Sequence, residues 1–94
     1  MIFLTSTDIS VFNMAMEGYT QTEIRRELEL TYDALKNSDN RISRALLIGV
    51  SNFYFWRKNK EIVFRNFELH IELKTECERV NQEKLESMTN FNTR

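Results

Sequence analysis

The fold is decided by residues 18–46, which read GYTQTEIRRELELTYDALKNSDNRISRAL. Thr20 is followed three residues later by Glu23, which is the pattern of a helix N-terminal capping box. Ile24 and Leu28 then form an apolar pair one helical turn apart. We therefore predict a helix over residues 21–28.

A second helix is predicted directly after it. Glu29 and Leu30 leave only a short link to Thr31, which is a favourable N-cap residue. Apolar side chains then recur on one side of the following segment, at Leu35, Ile42 and Leu46. We predict that this helix begins after Thr31 and ends near Gly49.

A short helix is also predicted before residue 18. Ile9, Phe12 and Met16 have helical spacing, and Gly18 follows as a residue suited to ending a helix. Ser6 or Thr7 is the predicted N-cap. The N-terminal part of the chain is thus expected to contain three helices.

The side of the third helix opposite its apolar residues is polar throughout. It holds Asp33, Asn37, Asn40 and Arg44, with Lys36 and Arg41 on its two edges. A solvated helix face has the same composition, but this is the second helix after a short turn. In helix-turn-helix proteins that helix enters the major groove of DNA.

The same residues resemble a known family. Sigma-factor region 4 and LuxR-type domains share the pattern G-x-S/T-x-x-E-I-x-x-x-L-x-hydrophobic-S/T-x-x-T/S-V-K. This sequence is similar to it at residues 18–24, Glu27-Leu28, Leu30-Thr31, Leu35-Lys36-Asn37 and Arg41-Ile42. The resemblance covers residues 18–46. Two positions depart from the pattern: Arg25 stands where the family usually has a small residue, and Ala34 stands where it usually has Thr or Ser.

The resemblance implies a DNA-binding surface. Carried over to this sequence, it assigns base reading to Tyr32, Asp33, Lys36 and Asn37, and contacts with the DNA backbone to Gln21, Thr22, Asn40, Arg41 and Arg44. Nothing in the chain is similar to sigma region 2, which opens promoters. We therefore expect a small stand-alone regulator of bacterial or phage type.

The charge of the chain has to be weighed against this expectation, because the formal net charge is −1. Residues 25–60 nevertheless carry eight basic and four acidic side chains, a local net charge of +4. A local positive patch can contact phosphates even in a slightly acidic chain. The basic residues are Arg25, Arg26, Lys36, Arg41, Arg44, Arg57, Lys58 and Lys60.

Nothing in the composition indicates catalysis or a cofactor. Cys77 and His70 are the only cysteine and histidine, so the chain has no internal disulfide, thiolate zinc cluster or Ser/His/Asp set. We expect no enzyme activity, no metal and no cofactor. The apolar start, Met1 to Leu4, is too short for a signal peptide or a membrane span, so we expect a cytoplasmic location without membrane contact.

The densest aromatic cluster follows Gly49, at residues 53–56, and is followed by basic residues. Such a cluster can stack on unpaired bases. We favour the interpretation that its rings cap the small core or form a dimer contact, since rings supply large buried area.

Residues 61–74 fit two patterns. Alternation of apolar and polar residues from Phe67 to Lys74 predicts a β-hairpin, whereas an apolar stripe with helical spacing predicts a helix. We favour a long helix, because the segment lacks Gly and Pro and continues into a strongly helical region. The stripe contains Ile62, Asn66, Leu69, Leu73, Cys77 and Val80.

The stripe is too apolar to remain exposed, so we predict a homodimer. Its expected contacts are Phe53, Trp56, Ile62, Leu69, Leu73 and Val80. The predicted organisation is all-α, with a helix-turn-helix domain at residues 1–49 and an oligomerisation region at residues 50–94, of which residues 89–94 are expected to fray.

These patterns favour a dimeric, sequence-specific regulator of transcription that binds double-stranded DNA. One alternative is a sigma-like module that binds RNA polymerase or a sigma or anti-sigma factor, which the near-neutral charge favours. Another is an oligomeric phage DNA-packaging subunit.

Overall fold

The computed structural model describes residues 2–92, with side chains for residues 2–85. This part of the chain consists of five helices and contains no strand. They are α1 (Ser6–Glu17), α2 (Gln21–Leu28), α3 (Tyr32–Ala45), α4 (Phe53–Lys58) and α5 (Lys60–Asn92). The all-α prediction and the long C-terminal helix are confirmed, and the alternative of a hairpin at residues 61–74 was wrong.

Helix α1 begins one residue earlier than predicted. Its N-cap is Thr5, not Ser6 or Thr7, because Asp8 completes a capping box with Thr5. The Asp8 amide donates to Thr5 Oγ1 and the Thr5 amide donates to Asp8 Oδ2, both at 3.1 Å. At the other end, Gly18 has the left-handed conformation expected of a residue that ends a helix, with φ of 107°.

Helix α3 ends earlier than predicted, at Ala45 instead of near Gly49. Leu47 adopts a left-handed conformation with φ of 55°. The Ile48 amide donates to the Ser43 carbonyl at 3.0 Å and the Leu47 amide to the Arg44 carbonyl at 3.2 Å. These are the two bonds of a Schellman motif, which turns Ile48 back onto the core.

The core joins α1, α2 and α3 to the aromatic segment. Leu35, Ile42 and Leu46 are buried in it as predicted. The Phe12 ring lies at its centre, 4.6 Å from the Phe67 ring and 6.2 Å from the Trp56 ring, measured between centroids. Of the predicted aromatic cluster, Phe53 and Trp56 therefore belong to the core, whereas Tyr54 and Phe55 are exposed.

Two earlier assignments need correction. Phe53 and Trp56 were expected at the dimer interface, but both are buried inside their own chain. Trp56 also donates from Nε1 to the Val50 carbonyl at 2.6 Å, so its polar atom is satisfied internally. The boundary predicted between residues 49 and 50 runs through this shared core, which also includes Val63 of α5.

The first half of helix α5 packs against the rest of the chain. Val63 and Phe67 pack on the core, and two side chains hold the N-terminal segment. His70 Nε2 accepts from the Leu4 amide at 3.1 Å, and Lys74 Nζ donates to the Leu4 carbonyl at 2.9 Å. From residue 75 to residue 85 the side chains are exposed, apart from half-buried Cys77. The expected fraying of residues 89–94 falls partly outside the described residues; the backbone is helical through Asn92.

Candidate nucleic-acid interface

Helices α2 and α3 are joined by a short turn at residues 29–31, and hydrogen bonds fix the start of each helix. Thr20 and Glu23 form the predicted capping box, with bonds of 3.1 and 3.2 Å. Thr31 caps α3 by accepting from the Ala34 amide at 3.1 Å. Between the helices Glu29 adopts a left-handed conformation with φ of 53°. The starts of α2 and α3 are thus fixed by hydrogen bonds that were predictable from the sequence, and the end of α2 by the left-handed Glu29.

Arg25, one of the two residues that depart from the family pattern, folds against this turn. Its Nε donates to the Leu30 carbonyl at 3.4 Å, and its guanidinium carbon lies 5.9 Å from the centre of the Tyr32 ring. A long stem along the protein surface with the charge at its edge is the usual behaviour of a half-buried arginine. Arg25 therefore lies against the turn between the helices and contacts residues of it.

The polar face of α3 is exposed as predicted. Most of the residues that the resemblance assigned to DNA lie on it or beside it, and all of the following are exposed: Gln21, Thr22, Tyr32, Asp33, Lys36, Asn37, Asn40 and Arg44. Gln21 of α2 borders a small surface cavity, of about 150 Å³, together with Tyr32 and Lys36 of α3. The start of α2 and the first turns of α3 therefore form one continuous surface.

Arg41 is the exception among the predicted contact residues. It is half-buried and forms a two-bond ion pair with Asp8 of α1, with Nε 3.0 Å from Oδ2 and one terminal nitrogen 2.9 Å from Oδ1. Ser38 donates to the same carboxylate at 2.6 Å. Burial by itself would raise the pKa of Asp8, but the bonds from Arg41, Ser38 and Thr5 outweigh it and lower that pKa to about 2.

The sequence analysis missed this role of Arg41 because its partner lies in another helix. Asp8 is completely buried. Arg41 thus joins α1 to α3, and its guanidinium is committed to a carboxylate within the chain.

Asp39 lies on the opposite flank of α3 and was also missed. It is buried, and its Oδ1 has no hydrogen-bond partner. Burial raises the pKa of this carboxyl to about 7. A signal was available in the sequence, because Asp39 stands four residues after Leu35 and three before Ile42, on the apolar side of α3.

The positive patch is weaker than the count of basic residues suggested. Arg57 is engaged at the end of α1, where it donates to the carbonyls of Ala15 and Tyr19, both at 2.6 Å. Lys58 lies 5.5 Å from the centre of the Tyr54 ring. On α2 and α3 the exposed basic side chains are Arg26, Lys36 and Arg44.

Other kinds of site have less support in the described part of the chain. Among the described residues, no group of three or more His, Cys, Asp or Glu side chains is placed to hold a metal ion. No helix in the same part of the chain combines the length and the apolar character needed to cross a membrane. No protein-family model, curated protein or solved structure matches the chain.

Proposed function

We propose that this protein binds double-stranded DNA in a sequence-specific manner through α3 and regulates transcription. The observation that carries the proposal is the exposed polar face of α3, which is continuous with the start of α2 across a short, capped turn. A helix presented in this way fits the width of the major groove. The proposal places the protein in the cytoplasm.

The residues of this face would have different tasks. Lys36 and Asn37 lie in the first two turns of α3, where side chains of a recognition helix reach base edges. Asparagine can make two hydrogen bonds to adenine, and lysine suits guanine. Arg44 lies about two turns further along the helix and would contact a phosphate.

The phosphate contacts at the other edge would come from the start of α2. Gln21 and Thr22 are its first two residues, and both are exposed. Amides at the start of a helix favour anionic groups. Because Arg25, Arg41 and Arg57 are engaged within the chain, we expect few counterions to be released and a shallow dependence of affinity on salt.

The proposed DNA-binding form is a homodimer. Two recognition helices held by one dimer read two half-sites, which raises both affinity and specificity. Since Phe53 and Trp56 belong to the core, the interface would involve the remaining predicted residues, Ile62, Leu69, Leu73 and Val80, all exposed on α5.

The test begins with selection of bound fragments from random duplex DNA, followed by binding assays on the selected sequence. Asn37→Ala should remove about 1 to 3 kcal/mol of discrimination at one base position and leave non-specific binding nearly unchanged. The matched control is Asn81→Ala, an exposed asparagine on α5, which should bind like the parent.

A second candidate function is supported by the weak charge of the surface. If Asn37→Ala and Lys36→Ala bind the selected DNA as the parent does, and circular dichroism shows that both fold, then α3 does not read DNA. The polar face would then be a docking surface for RNA polymerase or a sigma or anti-sigma factor. Affinity for DNA that does not change between low and moderate salt would support the same conclusion.

A further inference from the structure

Four apolar residues of α5 form a line that does not face the core of their own chain. They are Ile62, Leu69, Leu73 and Val80, whose exposed fractions are 55%, 56%, 41% and 48%. We call this line the α5 seam. Their spacings of seven, four and seven residues fit the core positions of a coiled coil, with Asn66 and Glu76 at the two core positions between them. Val63 and His70, which are buried, lie on a different side of the same helix.

An apolar groove adjoins the α5 seam. Its volume is about 370 Å³, and Leu69 and Leu73 form one wall of it. Ile2 and Leu47 line it from the N-terminal segment and the turn after α3, and Leu47 is 88% exposed. A helix lying along the α5 seam would therefore also cover apolar side chains outside α5.

The spacing of the α5 seam is the same in both directions along the helix. If a second copy of the helix is reversed about residue 71, its Val80 lies opposite Ile62 and its Leu73 lies opposite Leu69. A second copy of α5 running antiparallel would therefore bring every apolar residue of the seam opposite another apolar residue. Such self-complementarity is what a twofold symmetric interface requires.

Charge also favours the antiparallel direction. Glu76 lies three residues after Leu73 and four before Val80, so it belongs to the same line of coiled-coil positions. In a parallel pair it would face Glu76 of the second copy, and like charges in contact are destabilising. In the antiparallel pair it lies close to Arg65 of the second copy, an exposed positive charge that would add to the ion pair Glu76 already forms with Arg79 of its own chain.

We propose that the chain forms an antiparallel twofold dimer through the α5 seam, with the twofold axis near residue 71 and the second copy covering the Leu69 and Leu73 wall of the adjoining groove. This deepens the dimer of the proposed function, on which it rests for its role in DNA binding. The pairing itself requires no DNA, so it can be tested separately.

The test is disulfide trapping in a Cys77→Ser background. Ile62 and Val80 are about 27 Å apart along α5, whereas a disulfide requires Cα atoms within about 7 Å. We expect that I62C/C77S and V80C/C77S, mixed and mildly oxidised, give a crosslinked species that joins the two different chains. Each variant alone should give little crosslinked product.

The outcomes separate the possible arrangements. Crosslinking of each variant with itself would show a parallel pair and overturn the proposal, as would the absence of crosslinks in all samples. The control is E78C/C77S mixed with I62C/C77S, since Glu78 is exposed on the other side of the helix from Val80 and should not crosslink.

Sedimentation of the unmodified chain provides a second measurement that does not depend on cysteine variants. We expect a dimer at micromolar concentration and a monomer for L69E/L73E, because two charges enter the α5 seam. A monomeric parent would overturn the proposal. DNA binding by a monomeric parent would overturn the dimer but leave the proposed reading of DNA by α3 standing. A trapped dimer that fails to bind DNA would support the dimer and overturn the proposed DNA binding.

Discussion

The two flanks of α3 each bury one carboxylate, and they treat it in opposite ways. On the flank that faces α1, Asp8 accepts hydrogen bonds from Ser38 and Arg41. On the flank that faces residue 51, Asp39 is buried with one oxygen unpaired. Burial favours the protonated form of any carboxyl, so the partners alone decide that the pKa of Asp8 is low and that of Asp39 is high. The first carboxylate fixes the helix in place, and the second limits stability at neutral pH.

Removing the paired carboxylate should have the largest effect. Asp8→Ala leaves the half-buried Arg41 guanidinium without its partner and removes one half of the Thr5 capping box. The buried Asp8 carboxylate also accepts hydrogen bonds from Ser38 and the Thr5 amide, so losing all of these bonds together should lower the free energy of unfolding by about 3 kcal/mol. Urea denaturation at pH 7 measures it.

The control for this variant is Asp33→Ala, which removes an exposed acid from the same helix face as Asn37. It should change the free energy of unfolding little. If Asp8→Ala costs less than about 1 kcal/mol, the pair behaves like an exposed one, and the contrast between the flanks would be lost.

Replacing the unpaired carboxyl of Asp39 should instead raise the free energy of unfolding. The pKa of Asp39 is raised from 3.8 to about 7, so the folded chain holds a proton that the unfolded chain releases. Its contribution is therefore most favourable below pH 4 and is lost as the pH rises to 7. Asp39→Asn keeps the shape without the charge and should stabilise the protein by roughly 2 kcal/mol at pH 8, with little change at pH 4.

Urea denaturation at pH 4 and pH 8 tests whether Asp39→Asn stabilises the protein. NMR of the carboxyl groups of the parent tests whether the pKa values of the two carboxyls cause the difference. The Asp39 signal should titrate near neutral pH and the Asp8 signal near pH 2. A destabilised Asp39→Asn variant at pH 8 would show that the carboxylate has a partner in solution and would remove the difference between the flanks.

A smaller effect is expected from the hydroxyl that serves the paired flank. Ser38→Ala removes one hydrogen bond to Asp8, which is worth about 1 to 2 kcal/mol because the acceptor is charged. The pKa of Asp8 should rise, so the loss of stability in acid should begin at a higher pH. Ser51→Ala, beside the cavity that Asp39 borders, should change neither quantity.

The sequence predicted the elements of the fold well, since their signals are local. The Thr20 and Thr31 caps, the end of α1 at Gly18 and the buried positions Leu35 and Ile42 depend on residues within one or two turns of each other. The end of α3 was misplaced because Leu47, not Gly49, takes the left-handed position that ends the helix.

The candidate site was predicted only in part, because its remaining features depend on contacts between distant residues. Arg41 looked like a phosphate contact, and only the fold brings Asp8 to it across 33 positions of sequence. Arg57 was counted in the positive patch, although it satisfies carbonyls at the end of α1. A charge count treats every basic residue as exposed, and here it overestimated the positive surface.

Two arginines of α3 provide the last test of the comparison, and Arg44→Ala should have the smallest effect of all the variants. Arg44 is exposed on the polar face, whereas Arg41, three residues earlier, is paired with Asp8. Arg44→Ala should leave the free energy of unfolding unchanged and weaken binding to all DNA sequences alike. The slope of the logarithm of affinity against the logarithm of salt concentration should become shallower by about one. Arg41→Ala should destabilise the fold and, under conditions where it remains folded, leave the salt dependence as in the parent, since its charge is already neutralised.

Binding isotherms at several salt concentrations, with circular dichroism of each variant, measure both quantities. Equal flattening by the two variants would mean that Arg41 leaves Asp8 to contact DNA, so that the flank facing α1 belongs to the binding surface as well.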